Sequence, residues 1–451
     1  MQIFEKPQRS LNSYYYFKKI QSEHILKTFF NSNYTSVVYL PDNLTVLPPV
    51  VDPDPDPDPD SDSDSTKSIS STKVSVSNPS YKLVCYFIFT HDIDQLFRNF
   101  EPDLCTHLNI GFFGIENHRI VVSDQQKQVL NRLQSFKQKN SNLKTLLTIG
   151  GAGEPGFPEM VYNHSSRKQF IKSFVKIIHD YQLNGVDLDW EFPSWDNNVQ
   201  DERQKQHFTQ LLEEIRTEIN RESDQKRFLL SVAVGSIPSI IDTAYDVQYL
   251  NQFVDYVNIM CYDYHMFSKL TPWTGINAPL YSTSKDEGIF EIMNINYSAN
   301  YWISKGMDRS KIVIGLPTYG HSFKLMNILN NDLQAPALGY GDIGQLGYVT
   351  YSEVCKFLNG FGVNLVFDLK SQSPYAYQAS NWISYENEHS LTFKTEFIKS
   401  NNFGGVMLFN LNSDNFHGRY CDFKNIQSLQ NSTNLFHLTH TVKNTLFDDS
   451  L

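Results

Sequence analysis

From Tyr81 onward the chain alternates between two textures. Short apolar runs recur at Lys82–Phe89, Leu104–Phe112, Lys144–Ile149, Gly185–Trp190, Phe228–Val234, Val254–Tyr262, Lys311–Leu316 and Gly404–Phe409. Between several of them lie helix-length amphipathic stretches, such as Ser165–Tyr181 and Asp201–Asn220. Short apolar runs bounded by polar residues read as buried strands, and longer stretches with a 3.6-residue period read as helices. Eight strand-like runs interleaved with helices predict an α/β fold, a (β/α)8 TIM barrel. Roughly ninety residues separate Pro317 from Phe403, too many for one crossover. A small α+β insertion subdomain, about residues 320–392, is therefore expected after strand 7.

The flanks read differently. Residues 1–50 are rich in Tyr, Phe, Lys and Asn without clean periodicity, and their role is unknown. Residues 51–79 run through Asp-Pro alternation, Ser-Asp alternation and a Ser/Thr stretch. Proline fixes φ and the aspartates repel, so this segment is expected to be an extended, disordered linker whose acidic part spans about 40 Å. Residues 80–421 form the expected folded domain, and 422–451 a short, weakly structured tail.

Charge and cysteine usage narrow the partners. The net charge is −11, and Asp52 to Asp64 contribute seven negative charges at every second position. The remainder carries −11 + 7 = −4, with no basic stripe of the kind nucleic acid requires. A neutral substrate fits this balance. There is no CxxC pair among the five cysteines, which speaks against a zinc site. No apolar run is long enough for a transmembrane helix, and the first thirty residues lack the apolar core of a signal peptide.

The chemistry concentrates in Leu183–Pro193, LNGVDLDWEFP. Asp187, Asp189 and Glu191 stand at i, i+2 and i+4, so on a strand they share one face, about 6–7 Å apart. At the C-terminal end of a barrel strand that face points to where barrel enzymes do chemistry. Like charges so close cannot all ionise cheaply, which raises the proton affinity of some of them. A raised Glu is suited to general-acid work. A solvated acidic face and a divalent-cation site remain open on these residues alone.

With its neighbours, this segment resembles the active-site strand of glycoside hydrolase family 18, D-x-x-D-x-D-x-E. Thr148–Gly151 (TIGG), Met260–Asp263 (MCYD), Thr274–Tyr281, Gly315–Phe323 and Pro374–Gln378 also resemble chitinase segments in the right order, as do YKLVCYF and Leu104–Leu108. The likeness covers roughly residues 81–421. It implies hydrolysis of β-1,4-N-acetylglucosamine linkages in chitin or chitooligosaccharides by a substrate-assisted retaining route. Glu191 would protonate the glycosidic oxygen, and Asp189 would bond the acetamido nitrogen. Asp187 would share a proton with Asp189, and Tyr262 would orient the acetamido group. Tyr86, Phe112, Trp190 and Met260 are implied substrate-binding residues, as are Asp263, Tyr319, His321 and Phe409. His321 and His265 point to a pH-sensitive site. No metal or organic cofactor is implied, and the chain is expected to be a monomer.

By the same likeness, Cys85–Cys105 and Cys355–Cys421 would be disulfides and Cys261 a buried thiol. Disulfides imply an oxidising, extracellular setting. The sequons at Asn33, Asn43, Asn163, Asn296 and Asn431 are compatible with it. Three departures matter. Asn184 stands where the pattern begins with Asp, Phe409 where the family usually has Trp, and Ala152 where an aromatic is common. They make a catalytically weak or inactive chitin-binding lectin of the same fold the competing reading. Inactive relatives commonly lack the terminal Glu, which this chain keeps at Glu191.

Overall fold

The computed structural model describes residues 81–448, apart from 91, 196–200, 225, 419 and 422–434. The N-terminal segment, the acidic linker and the sequons at Asn33, Asn43 and Asn431 lie outside the described residues.

Eight parallel strands close into a barrel. They are β1 (Lys82–Ile88), β2 (His107–Glu116), β4 (Lys144–Gly150), β5 (Gly185–Asp189), β6 (Leu229–Val234), β7 (Tyr256–Ile259), β8 (Ile312–Pro317) and β15 (Gly405–Phe409). Each pairs with its sequence neighbour in the barrel, β15 pairs with both β8 and β1, and β1–β2 completes the ring. All eight expected strands are present. The short β3 (Arg119–Val121) folds back on β2 as a hairpin.

Helices form the outer layer. The helix His164–Asp180 is typical: Phe170, Phe174 and Ile178 repeat every four residues and are buried. The side chain of Asn163 accepts from the Ser166 N–H and so caps its first turn. Each buried aromatic or aliphatic side chain contributes about 1.5–3 kcal/mol.

The insertion lies between β8 and β15, as expected. It is an antiparallel sheet of β9 (Tyr319–Leu325), β10 (Ala337–Gly339), β11 (Tyr348–Thr350), β12 (Asn364–Asp368), β13 (Ser373–Gln378) and β14 (Asn381–Ser384), with one helix, Tyr351–Leu358. It has its own small core around Phe323, Leu325, Tyr375 and Trp382. Strand β9 starts two residues past the end of β8, so the subdomain is rooted at the barrel's C-terminal mouth.

The expectation of a weakly structured tail is corrected for its described part. His437–Phe447 is a helix that buries Leu438, Val442 and Leu446, packing against the helix Glu388–Ser400. Its first turn is held from a distance: the buried Asp414 carboxylate accepts from the Thr439 N–H at 2.9 Å and the Thr439 hydroxyl at 2.7 Å. Disulfides join Cys85 to Cys105 and Cys355 to Cys421. Cys261 is an unbridged buried thiol, its pKa pushed up to about 12 by burial. No described helix is long and apolar enough to cross a membrane.

Candidate active site

Register decides what surrounds the acids of β5. Thr148 and Ser231 lie beside Asp187, while Gly150 and Ala233 lie beside Asp189. Neighbours in register share a face of the sheet. Two hydroxyls therefore face Asp187, and two of the smallest residues flank Asp189.

Asp187 is fully buried and accepts four hydrogen bonds. Tyr86 donates at 2.7 Å and Ser231 at 2.6 Å, Thr148 and the Asn258 amide at 3.2 Å each. The donors come from β1, β6, β4 and β7, so this carboxylate ties half the barrel together. Burial raises its pKa, and the four hydrogen bonds partly offset that rise. Burial also pushes the Tyr86 hydroxyl well above its usual value, helped by the charges of Asp187 and Asp189.

Asp189 is 1% exposed. Glu191 follows the end of β5, and both its carboxylate oxygens are shielded from solvent. Tyr262, just beyond β7, faces the same acids. Burial raises its hydroxyl pKa well above the usual range, and the charges of Asp189, Asp263 and Glu191 add to the rise. Asp189 and Glu191 act in the same way on the buried Tyr245.

The floor is aromatic. The Phe409 ring lies 5.6 Å from Tyr262, nearly parallel, 5.5 Å from Tyr86 and 6.5 Å from Phe112. Met260 is buried at the end of β7. On the far side of Tyr262, Asp263 accepts from the Tyr319 hydroxyl at 2.6 Å and pairs with His321 Nε2 at 2.8 Å. Two glycines make the rim tight. A Cβ on Gly150, whose φ is +117°, would sit 2.0 Å from the Asp189 carbonyl oxygen, and one on Gly151 would press 2.9 Å from the Phe112 ring. TIGG is thus required by close approach of backbone and ring.

One sequence expectation fails here. Trp190 does not line the groove. It alternates to the outer face of β5, stacks on Phe157 at 5.2 Å and packs edge-on against Phe208, so it belongs to the barrel–helix core. His265 is half-buried, with Nε2 2.9 Å from the Trp273 carbonyl oxygen, and desolvation lowers its pKa. Asn184 accepts from the Thr145 N–H at 3.1 Å and hydroxyl at 3.3 Å, a strand-pairing role at the foot of β5. Ser231 and Asn258 were not anticipated. Each is the lone polar residue within its strand, FLLSVAV and YVNI, and that interruption of an apolar run is the signal that marks them.

This barrel carries an acid-lined mouth, and residues 82–414 match the family model for glycosyl hydrolases family 18. The chain belongs to that family. Human chitinase-3-like protein 2 is 34% identical over 358 residues, covering 76% of this chain and 89% of that protein. Mouse chitotriosidase-1 is 33% identical over 372 residues, 78% of each chain. A solved structure of human YKL-39, described as a pseudo-chitinase with retained chitooligosaccharide binding, superposes with a TM-score of 0.73 at 32% identity, over 81% of this chain and all of that one.

Proposed function

We propose that this chain is an extracellular chitinase that cleaves β-1,4-N-acetylglucosamine linkages with retention, through substrate-assisted attack. The observation that carries the reading is that Asp189 and Glu191, with carboxylate oxygens shielded from solvent, act together on the Tyr262 hydroxyl, whose ring lies on Phe409. Glu191 donates its proton to the glycosidic oxygen as that bond breaks. The acetamido carbonyl oxygen of the same sugar attacks the anomeric carbon, forming an oxazolinium ion. Asp189 accepts from the acetamido N–H and stabilises the positive charge developing there. Asp187 and Asp189 act as a coupled pair that shares a proton, so three adjacent charges are never needed at once. Tyr262 holds the acetamido group. Water then opens the ring, giving its proton to the Glu191 carboxylate. Holding nucleophile and electrophile in one molecule is itself worth several kcal/mol.

The test is reducing-end release from soluble N-acetylglucosamine oligomers between pH 4 and 8. Turnover by the native chain, and its loss by a factor of about 10³ in Glu191→Gln with oligomer binding kept, supports the reading. Absence of turnover in the native chain refutes it.

One observation favours a second reading, oligosaccharide binding without cleavage. Phe409 offers less stacking area than a Trp and is only 2% exposed. Binding with no hydrolysis at any pH selects that reading.

A further inference from the structure

Two sequons lie among the described residues, Asn163–His164–Ser165 and Asn296–Tyr297–Ser298, and the fold treats them differently. Asn163, His164 and Ser165 are all exposed. They stand where the helix Gly156–Val161 gives way to the helix His164–Asp180, in the outer layer of the barrel. Asn163 is extended, with φ −139° and ψ 161°. Its side-chain Oδ1 accepts from the Ser166 N–H at 3.0 Å, and its carbonyl oxygen accepts from the Ser166 hydroxyl at 2.8 Å. A backbone N–H can only donate, so this cap fixes which end of the amide is oxygen. Nδ2 is then the other end, and no described group accepts from it. A sugar on Nδ2 replaces one amide hydrogen and leaves the oxygen in place, so the cap survives the modification.

Asn296 is the opposite case. It lies in the first turn of the helix Ile295–Ser304 and is half-buried. Its N–H donates to the Leu280 carbonyl at 3.1 Å, and its Oδ1 accepts from the Asn300 amide at 3.0 Å. Ser298, which completes that sequon, is fully buried, and its hydroxyl lies 2.7 Å from the Tyr264 hydroxyl. A glycan is bulky and solubilising, and it belongs where water reaches the nitrogen. A chain carrying sugar on Asn296 has to crowd it against the Leu280 segment in order to fold. A chain carrying sugar on Asn163 does not.

We propose that Asn163 is an N-glycan acceptor, and that the fold selects it over Asn296. The donor is an oligosaccharide linked through a diphosphate to a lipid, delivered by a transferase that reads Asn-x-Ser/Thr. Asn163 Nδ2 forms a bond to C1 of the donor's reducing-end N-acetylglucosamine. The C1–O bond to the diphosphate breaks, the lipid diphosphate leaves with the electron pair, and one amide proton is lost. The proposal rests on the reading that the chain is extracellular. It does not require that the barrel hydrolyse anything.

The experiment expresses the full chain in cultured animal cells, once as it stands and once behind a cleavable secretion signal. An endoglycosidase trims every N-glycan to one N-acetylglucosamine, and peptide mass spectrometry reads each asparagine in secreted and cell-retained material alike. In the signal-bearing chain Asn163 is expected to carry sugar in most molecules and Asn296 in few. Ser165→Ala should abolish the sugar on Asn163 while keeping Asn163 and its cap, so that any loss is loss of the acceptor signal and not of folding. Asn296→Gln should leave the occupancy of Asn163 unchanged. The proposal is overturned if Asn163 is bare in the signal-bearing chain, if Asn296 is occupied as fully as Asn163, or if Ser165→Ala keeps the sugar. Sugar on Asn163 of the signal-bearing chain, beside an unmodified chain retained in the cell with Cys85, Cys105, Cys355 and Cys421 reduced, refutes the extracellular reading and leaves the acceptor standing.

Discussion

Asp187 at the heart of the barrel and Glu386 at the root of the insertion are both sealed from solvent, 0% and 2% exposed, and they are compensated in opposite ways. Glu386 has a cation. The fully buried Lys394 reaches it at 2.5 Å, and Ser390 donates to its other oxygen at 2.7 Å. That pair is neutral as a unit and adds no net charge to its surroundings. Asp187 has donors and no cation. Four neutral groups satisfy its lone pairs but leave its charge to act outward, on Tyr86 and Tyr256. The difference teaches how to tell a structural buried acid from a working one. An ion pair spends its field on its partner, whereas a hydrogen-bonded acid keeps a field and a proton to share.

Lys394→Met should expose the first half of this contrast, with the largest effect. It strands Glu386 in the interior without its cation, and breaking one side of a buried pair costs about 3–5 kcal/mol. Urea unfolding should register that loss, while turnover per folded molecule stays unchanged. A variant as stable as the native chain would show that Glu386 simply takes up a proton when Lys394 is gone.

Asp187→Asn reverses the pattern. Turnover should fall about 100-fold, because the shared proton and its field are lost. Stability should fall by only about 1–3 kcal/mol, the cost of the donors that the amide NH2 cannot accept, since burial already disfavours the charged form and an amide occupies the same volume. Loss of folding together with activity would make Asp187 a structural acid like Glu386 and erase the contrast.

The same contrast separates what the sequence could reveal from what it could not. Asp187, Asp189 and Glu191 are legible because a period of two on an apolar strand admits one geometry. The eight strands are legible because buried parallel strands are apolar on both faces. Trp190 misleads for the same reason that the acids do not: it is adjacent to them in the chain and so points the other way. Ser231 and Asn258 act on Asp187 from other strands, and only the barrel's closure brings them near. The helix His437–Phe447 lacks a local cap, because Asp414 supplies it from 25 residues away in the chain. Lys394 and Glu386 stand eight residues apart and gave no motif to read.

His107 offers a third way to bury a titratable group, by giving up the charge. Its Nδ1 lies 2.8 Å from the Thr106 hydroxyl, and its ring packs edge-on against Tyr256. Burial, with the charges of Lys82 and Lys144, lowers its pKa to about 4. A histidine whose folded pKa lies below its unfolded value, about 6.5, stabilises the fold above the unfolded pKa. That contribution is lost as pH falls from 6.5 towards 4. Between pH 7 and 4.5 the native chain should therefore lose about 2 kcal/mol more than His107→Gln in paired urea titrations. Equal losses would mean that the ring is charged in the folded state.

Tyr86→Phe is the smallest perturbation and the most discriminating. It deletes one of the four donors to Asp187 and keeps the ring that packs against Phe409. If Asp187 works through a carboxylate held by hydrogen bonds, losing the Tyr86 hydroxyl should cost about 1 kcal/mol of transition-state stabilisation, a fivefold drop in kcat/KM. The same change made in Asp187→Asn should cost almost nothing, because the charge that the hydroxyl served is already gone. That coupling is the quantity to measure, through a double-mutant cycle in kcat/KM. Additive losses would show that Tyr86 acts on the sugar directly and that the Asp187 network is scaffolding. Coupling of about 1 kcal/mol would make the donors, and not a cation, the means by which this barrel keeps an acid both buried and usable.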